Sequence, residues 1–170
     1  MSIAAPATTT RGVIFVHACP SAIAPHVEWA IAEVLARPVT LSWMPQPAAA
    51  GQLRAEATWT GPVGTAARLA AGLRAWPMLR FELTEEPTPR SDGERLAYVP
   101  GRGFHRSLVS VSGDVVVGEE RLRGLLDRAR TADELRHGLF ELLGTAWDVE
   151  LEPYREAGDG SPVTLLHHVG

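Results

Sequence analysis

The stretch FVHACPSAIAPHVEWA, Phe15 to Ala30, holds the chain's single cysteine and two of its six histidines. Its reactive side chains are His17, Cys19 and His26. Imidazole and thiolate bind zinc, and a cysteine beside a histidine can become an activated nucleophile. A structural zinc site needs four ligands, usually in closely spaced pairs. His17 and Cys19 stand two apart on an expected strand, which places both on one face, and His26 follows in the next helix. Further ligands would have to come from elsewhere, such as Glu28, His105 or the C-terminal histidines, and no metal site is expected on balance. Cys19 precedes a helix N-terminus, a setting that lowers a thiol pKa. An anion reading uses the same helix: the amides after Ser21 would point beside His17, where a carboxylate or phosphate fits. A packing reading makes Cys19 a small buried hydrophobe and His17 a locally bonded strand-end residue. The sequence leaves these readings open.

Two other stretches carry candidate groups. PGRGFHR, Pro100–Arg106, combines glycine-rich backbone with Arg102, His105 and Arg106, which together could contact a phosphate or other anion. It opens no helix and lacks the G-x-G-x-x-G spacing, so a dinucleotide fingerprint is not expected; solvated arginines on a turn are the alternative. The acidic stretch Glu141–Asp159 places Asp148 and Glu152 four apart, on a helix face shared with Arg155. Paired carboxylates suit acid–base work or a hard cation, but there is no calcium-loop pattern, and a solvated charged face is expected. Glu85-Glu86 reads the same way. The tryptophans Trp29, Trp43, Trp59, Trp76 and Trp147 are read as packing residues. Trp29 departs from the apolar face of its helix and would meet the second half of the chain or an interface.

Composition narrows the chemistry by exclusion. The 170 residues carry a net charge of −4 with 45% hydrophobic residues, ordinary for one globular domain, and no electrostatic case arises for nucleic acid or an anionic membrane. All 16 basic residues are arginine. A lysine-free chain forms no Schiff base and has no Walker-A or kinase lysine. A single cysteine forms no internal disulfide, which agrees with a reducing cytoplasm. No secretory signal and no membrane-spanning apolar run is apparent. There is no G-x-S-x-G elbow, no H-E-x-x-H and no P-loop, and no cofactor is expected.

The elements that would position these residues follow from periodicity. Residues 1–10 are small and polar and are expected to be a disordered tail. Gly12–Ala18 reads as a central strand, apolar on both faces. Ser21 would cap a helix to about Ala36, with Val27, Ala30, Ile31 and Val34 on one face and Pro25 in the first turn. VTLSWMPQP, with Val39, Leu41 and Trp43 on one face, and QLRAEATWTG then read as two strands. A helix to Pro77 and a strand MLRFELTEE follow. The order β-α-β-β-α-β predicts a ferredoxin-like unit over residues 11–90, two helices on one face of an antiparallel sheet, in the α+β class. Residues 91–170 add strands (RLAYVP, SLVSVSGDVVVG and a final PVTLLHHV) and helices. One of these is capped by Thr131-x-x-Glu134 and stopped by Gly144, and the last is broken at Pro153. This extension is expected to pack on the first unit as one domain and to cover its second face.

The strings HVEWA, TLSWMPQPAAAG, RAEATWTGPVGTAARLAAGLRAW, LRFELTEEP, DGERLAYVP and LLGTAWDVELEPYREAGDGSPVTLLHHV resemble the DUF3145 family, actinobacterial proteins of unknown function. The resemblance covers about residues 11–170 and implies no assigned activity and no catalytic residues. It implies a loose link to gene neighbourhoods of fatty-acid synthesis. The reading that results is a cytoplasmic, non-catalytic accessory or regulatory binding module. It would engage a protein or a small anionic ligand through Ser21, Arg102, His105 and Arg106, with its oligomeric state open. The alternative is a small enzyme using His17 with Cys19 or His26 in a cleft between sheet and cap.

Overall fold

β1 (Thr9–Pro20) is flanked on both sides and buried on both faces, as its apolar sequence requires. In the computed structural model, which describes residues 8–157, it is followed by α1 (Ala24–Leu35), β2 (Met44–Pro45), β3 (Gln52–Pro62), α2 (Thr65–Leu73) and β4 (Arg80–Glu85). The second half contributes β5 (Gly93–Val99), β6 (Gly103–Val109), β7 (Val115–Val116), α3 (Glu119–Arg128), α4 (Ala132–Leu143) and α5 (Thr145–Glu156). The strands form one seven-stranded sheet in the order β2-β3-β1-β4-β5-β6-β7, every neighbour antiparallel.

The α+β class stands as read from the sequence; a clean ferredoxin-like unit does not. β2 is only two residues long, and the sheet runs on past β4 through three further strands. These strands therefore widen the sheet instead of covering its second face. The strand expected at Val39–Trp43 is lost to a single carboxylate. Glu28 of α1 accepts hydrogen bonds from the Leu41 amide (2.8 Å) and the Trp43 indole N–H (3.0 Å). Those contacts hold the segment away from β3, so β2 meets β3 only at Leu53 and Arg54. Glu28→Ala strands both donors and is expected to cost about 1–3 kcal/mol in urea denaturation, with Glu28→Gln, which keeps an acceptor, much closer to the parent.

Other boundaries shift for equally local reasons. β1 begins at Thr9, inside the expected tail. Ser21 lies exposed in a turn and does not cap α1, whose N-cap is Ile23; Pro25 does occupy the first turn. Thr131 caps α4 by accepting from the Glu134 amide, and Glu134 reaches back to the Arg130 amide instead of that of Thr131. Gly144 ends the helix at φ 77°. α5 is not broken at Pro153. A proline in the last turn costs one backbone bond, and the following residue but one, Arg155, is anchored in the sheet. The expected final strand and His167-His168 lie outside the described residues.

Two layers cover the sheet. α1 and α2 pack on one face over Ile14, Val16, Ala55, Trp59, Phe81 and Leu83. On the other face α5 crosses β1 and β5, and Leu151 and Trp147 pack on Ala97 and Val99. α2 is held by Glu85, which is buried rather than solvated: its two carboxylate oxygens accept from the Gly64 amide (2.7 Å) and the Ala66 amide (2.9 Å) at the helix N-terminus. Glu86 does face solvent and pairs with Arg11.

Candidate functional site

The densest polar chemistry lies under α5. Glu82 of β4 is on the sheet face opposite α1 and α2, and it accepts five hydrogen bonds. They come from His17 Nε2 (2.7 Å), Arg155 Nε (2.8 Å), Arg155 Nη2 (2.5 Å), Arg95 Nε (3.1 Å) and Arg95 Nη2 (2.6 Å). Asp148 Oδ1 joins from α5, accepting from Arg95 (2.5 Å) and Arg155 (2.9 Å). Glu152 accepts from Arg155 Nη1 at 3.2 Å. Gln46 closes the edge by donating to the carbonyls of His17 and Tyr154. Burial alone would raise the Glu82 pKa; hydrogen bonds from His17 and Arg155 and the charge of Arg95 outweigh it and hold the group well below the usual carboxylate range. An ionised carboxylate only accepts, so the His17 Nε2 carries a proton.

This arrangement fastens a helix through groups paired with one another. His17, Glu82 and Arg155 are 3–4% exposed. The opening beside His17, among Phe15, Met44, Arg54, Glu56 and Tyr154, is about 60 Å³, room for about two waters. In the acidic stretch Asp148 and Glu152 stay partly exposed, as a solvated face requires, and also pair with the buried Arg155.

His17, Cys19 and His26 do not share a site. β1 carries a bulge: Val16 pairs with Ala55, and the next pair is Cys19 with Leu53, so the strand spends one extra residue here. That extra residue inverts the alternation. His17 stays with Phe15 and Glu82 on the α5 face, and Cys19 turns into the core beneath α1 and α2. The expectation of one shared face fails for this reason. Burial pushes the Cys19 thiol up to about 11, the reverse of the activation that its position before α1 implied. His26 is exposed on α1 with its ring against Trp29, which is 66% exposed.

Arg102 and His105 are brought together around Trp147 of α5, whereas Arg106, next to His105 on β6, lies on the opposite face of the sheet. Gly101 and Gly103, both at positive φ, turn β5 into β6. Trp147 of α5 donates to the Gly103 carbonyl (2.9 Å), packs on His105 (centroids 4.9 Å apart) and lies under the Arg102 guanidinium. Arg102 also pairs with Glu150 at 3.0 Å, and Arg106 with Glu94. Burial and the charges of Arg121 and Arg95 hold the His105 pKa below its usual value.

An open recess lies elsewhere. Because Glu28 holds the Val39–Trp43 segment off β3, a cleft of about 470 Å³ remains between them. Ile14, Ile31, Leu35, Trp59 and Leu69 form its apolar walls, and Arg37 and Thr40 line its rim.

A family described as a protein of unknown function, DUF3145, matches residues 13–168. The chain belongs to the DUF3145 family. No curated protein and no solved structure matches it. For this DUF3145 chain, the family description supplies no activity and no link to acyl metabolism. Among its described residues no three His, Cys, Asp or Glu side chains gather as a metal site would need, and no helix is long and apolar enough to cross a membrane. Glu82 and Arg95 were missed by sequence reasoning. The one available signal was β1 itself, whose two apolar faces demanded a cover and hence a partner for the charged residues on neighbouring strands.

Proposed function

We propose that this chain is a non-catalytic binding module with its ligand seat in the cleft between α1, α2, β3 and the Arg37–Thr40 segment. The observation that carries this reading is a contrast. Among the described residues the densest cluster of titratable groups is taken up in mutual pairs beneath α5, whereas the cleft is open, with buried apolar side chains at its base and polar groups over most of its exposed lining. Its volume of about 470 Å³ falls in the range of small-ligand sites. An enzyme using His17 with Cys19 or His26 would need two of these groups in one cleft, and they face three separate surroundings.

The reading is tested by native mass spectrometry of the full chain purified from its own host, beside Ala57→Phe, which fills the cleft from β3. A small molecule retained by the parent and lost from the folded variant is expected. Equal retention by both would place the ligand elsewhere and overturn the assignment.

A further inference from the structure

We infer that residues 39–43 form a strap that closes the cleft by pairing with β3, and that Glu28 holds it open. The strap is a property of the chain alone and does not depend on what the cleft binds. Its register is already set. β2 meets β3 at Met44 with Arg54 and Pro45 with Leu53. Continued along the chain, that pairing brings Trp43, Leu41 and Val39 opposite Ala55, Ala57 and Trp59, and Ser42 and Thr40 opposite Glu56 and Thr58. All six residues of the first set belong to the core beneath α1 and α2 or pack against it. The four of the second set are exposed. Apolar thus meets apolar on one face and polar meets polar on the other, the phase a paired strand requires.

β3 has the backbone groups to receive the strap. The Arg11 carbonyl accepts from the Glu86 amide after β4, and the Thr8 carbonyl from the Val63 amide after β3. Even-numbered residues of β1 therefore turn to β3, so Gly12 and Ile14 bond Trp59 and Ala57. The backbone groups of Glu56 and Thr58 then point the other way, to the sheet edge, and among the described residues they have no backbone partner there. Such an edge is a template for one more strand. The segment also begins next to stored strain. Ala36, at φ 52°, is the one non-glycine residue at positive φ among the described residues, a feature that clusters at switch regions. Two sets of bonds thus compete for one segment: the contacts of Glu28 with Leu41 (2.8 Å) and Trp43 (3.0 Å), and a ladder with β3.

The test is a cysteine pair, Thr40→Cys with Thr58→Cys, in the full chain. Both positions line the cleft, and in the paired register their Cα atoms would stand about 5.5 Å apart, within disulfide reach. The buried Cys19 takes no part. Under mild oxidation the bond should form about tenfold faster when Glu28→Ala is added, the scale of one lost hydrogen bond to a carboxylate. Trp43→Phe, which gives up one of the two contacts, should fall between and serves alone should Glu28→Ala fail to fold. A pair out of register, Thr40→Cys with Thr60→Cys, should lag behind. In hydrogen exchange the Glu56 and Thr58 amides should gain protection in the released variants. Equal rates in parent and released chains, no gain in protection, or an equally fast out-of-register pair would each overturn the strap. The locked chain also separates this inference from the ligand seat. With the disulfide formed, the small molecule kept by the parent should be lost in native mass spectrometry. Its retention would count against the cleft as the seat and leave the strap standing.

Discussion

Glu82→Ala is expected to lower folding stability by about 3–5 kcal/mol, the scale for removing one partner from a buried ion cluster. The substitution leaves Arg155, 3% exposed, with only its contacts to Asp148 and Glu152, and leaves His17 Nε2 without an acceptor. Both consequences are desolvation penalties, so the loss should exceed what any single hydrogen bond contributes. A compensated pair tells the penalty from the interaction. Glu82→Leu combined with Arg155→Met removes opposite charges together and should recover much of the deficit, since apolar replacement of a buried pair is often near neutral. Urea denaturation at neutral pH measures all three chains. A Glu82→Ala loss under about 1 kcal/mol would mean that α5 is not fastened through this carboxylate.

The same carboxylate fixes a pH dependence. Its pKa is depressed in the folded state below the ordinary 4.5. A group of this kind contributes stability that is fully present above its unfolded pKa and is lost as pH falls through its folded pKa. Parent stability should therefore hold down to about pH 4.5 and decline below it, more steeply than that of Glu82→Gln, which has no carboxylate to protonate there.

The second large effect lies at Gly12. A Cβ there would stand 1.8 Å from the Thr84 carbonyl oxygen and 2.5 and 2.7 Å from two carbons of the Trp59 indole. Neither neighbour can yield cheaply. One is backbone of the paired strand β4, and the other is a core side chain also packed in the wall of the cleft. Gly12→Ala should cost about 3 kcal/mol or more, at the upper end for overpacking, even though alanine is the smallest possible change. Displacement of Trp59 should also shift tryptophan emission. A variant that unfolds within about 1 kcal/mol of the parent would show that β1 and β4 can part at this point without penalty.

What the sequence made legible was local. Val27, Ala30, Ile31 and Val34 announced α1, Thr131 and Gly144 marked the ends of α4, and the double-sided apolarity of β1 announced a cover on each face. What it hid depended on meetings between distant residues. Nothing within MLRFELTEE tells that Glu82 awaits Arg155, 73 positions away, or that Glu28 will remove Leu41 and Trp43 from the sheet edge. The bulge in β1 was hidden for a related reason, since an extra residue is defined only against the strands beside it. The cleft inherits that obscurity: its existence follows from a strand that periodicity predicts and a side chain withdraws.

The bulge also makes chain length, and not only residue type, a determinant of this fold. Before it, odd-numbered positions such as Phe15 and His17 serve α5 and even-numbered ones such as Ile14 and Val16 serve α1 and α2; after it, the odd-numbered Cys19 serves the helices. The strand is thus punctuated like a reading frame with a built-in shift. Adding one residue between His17 and Cys19 would leave every side chain chemically intact, yet would send a thiol toward the carboxylate cluster and break the phase on which both layers depend, whereas removing Ala18 would only cancel the bulge.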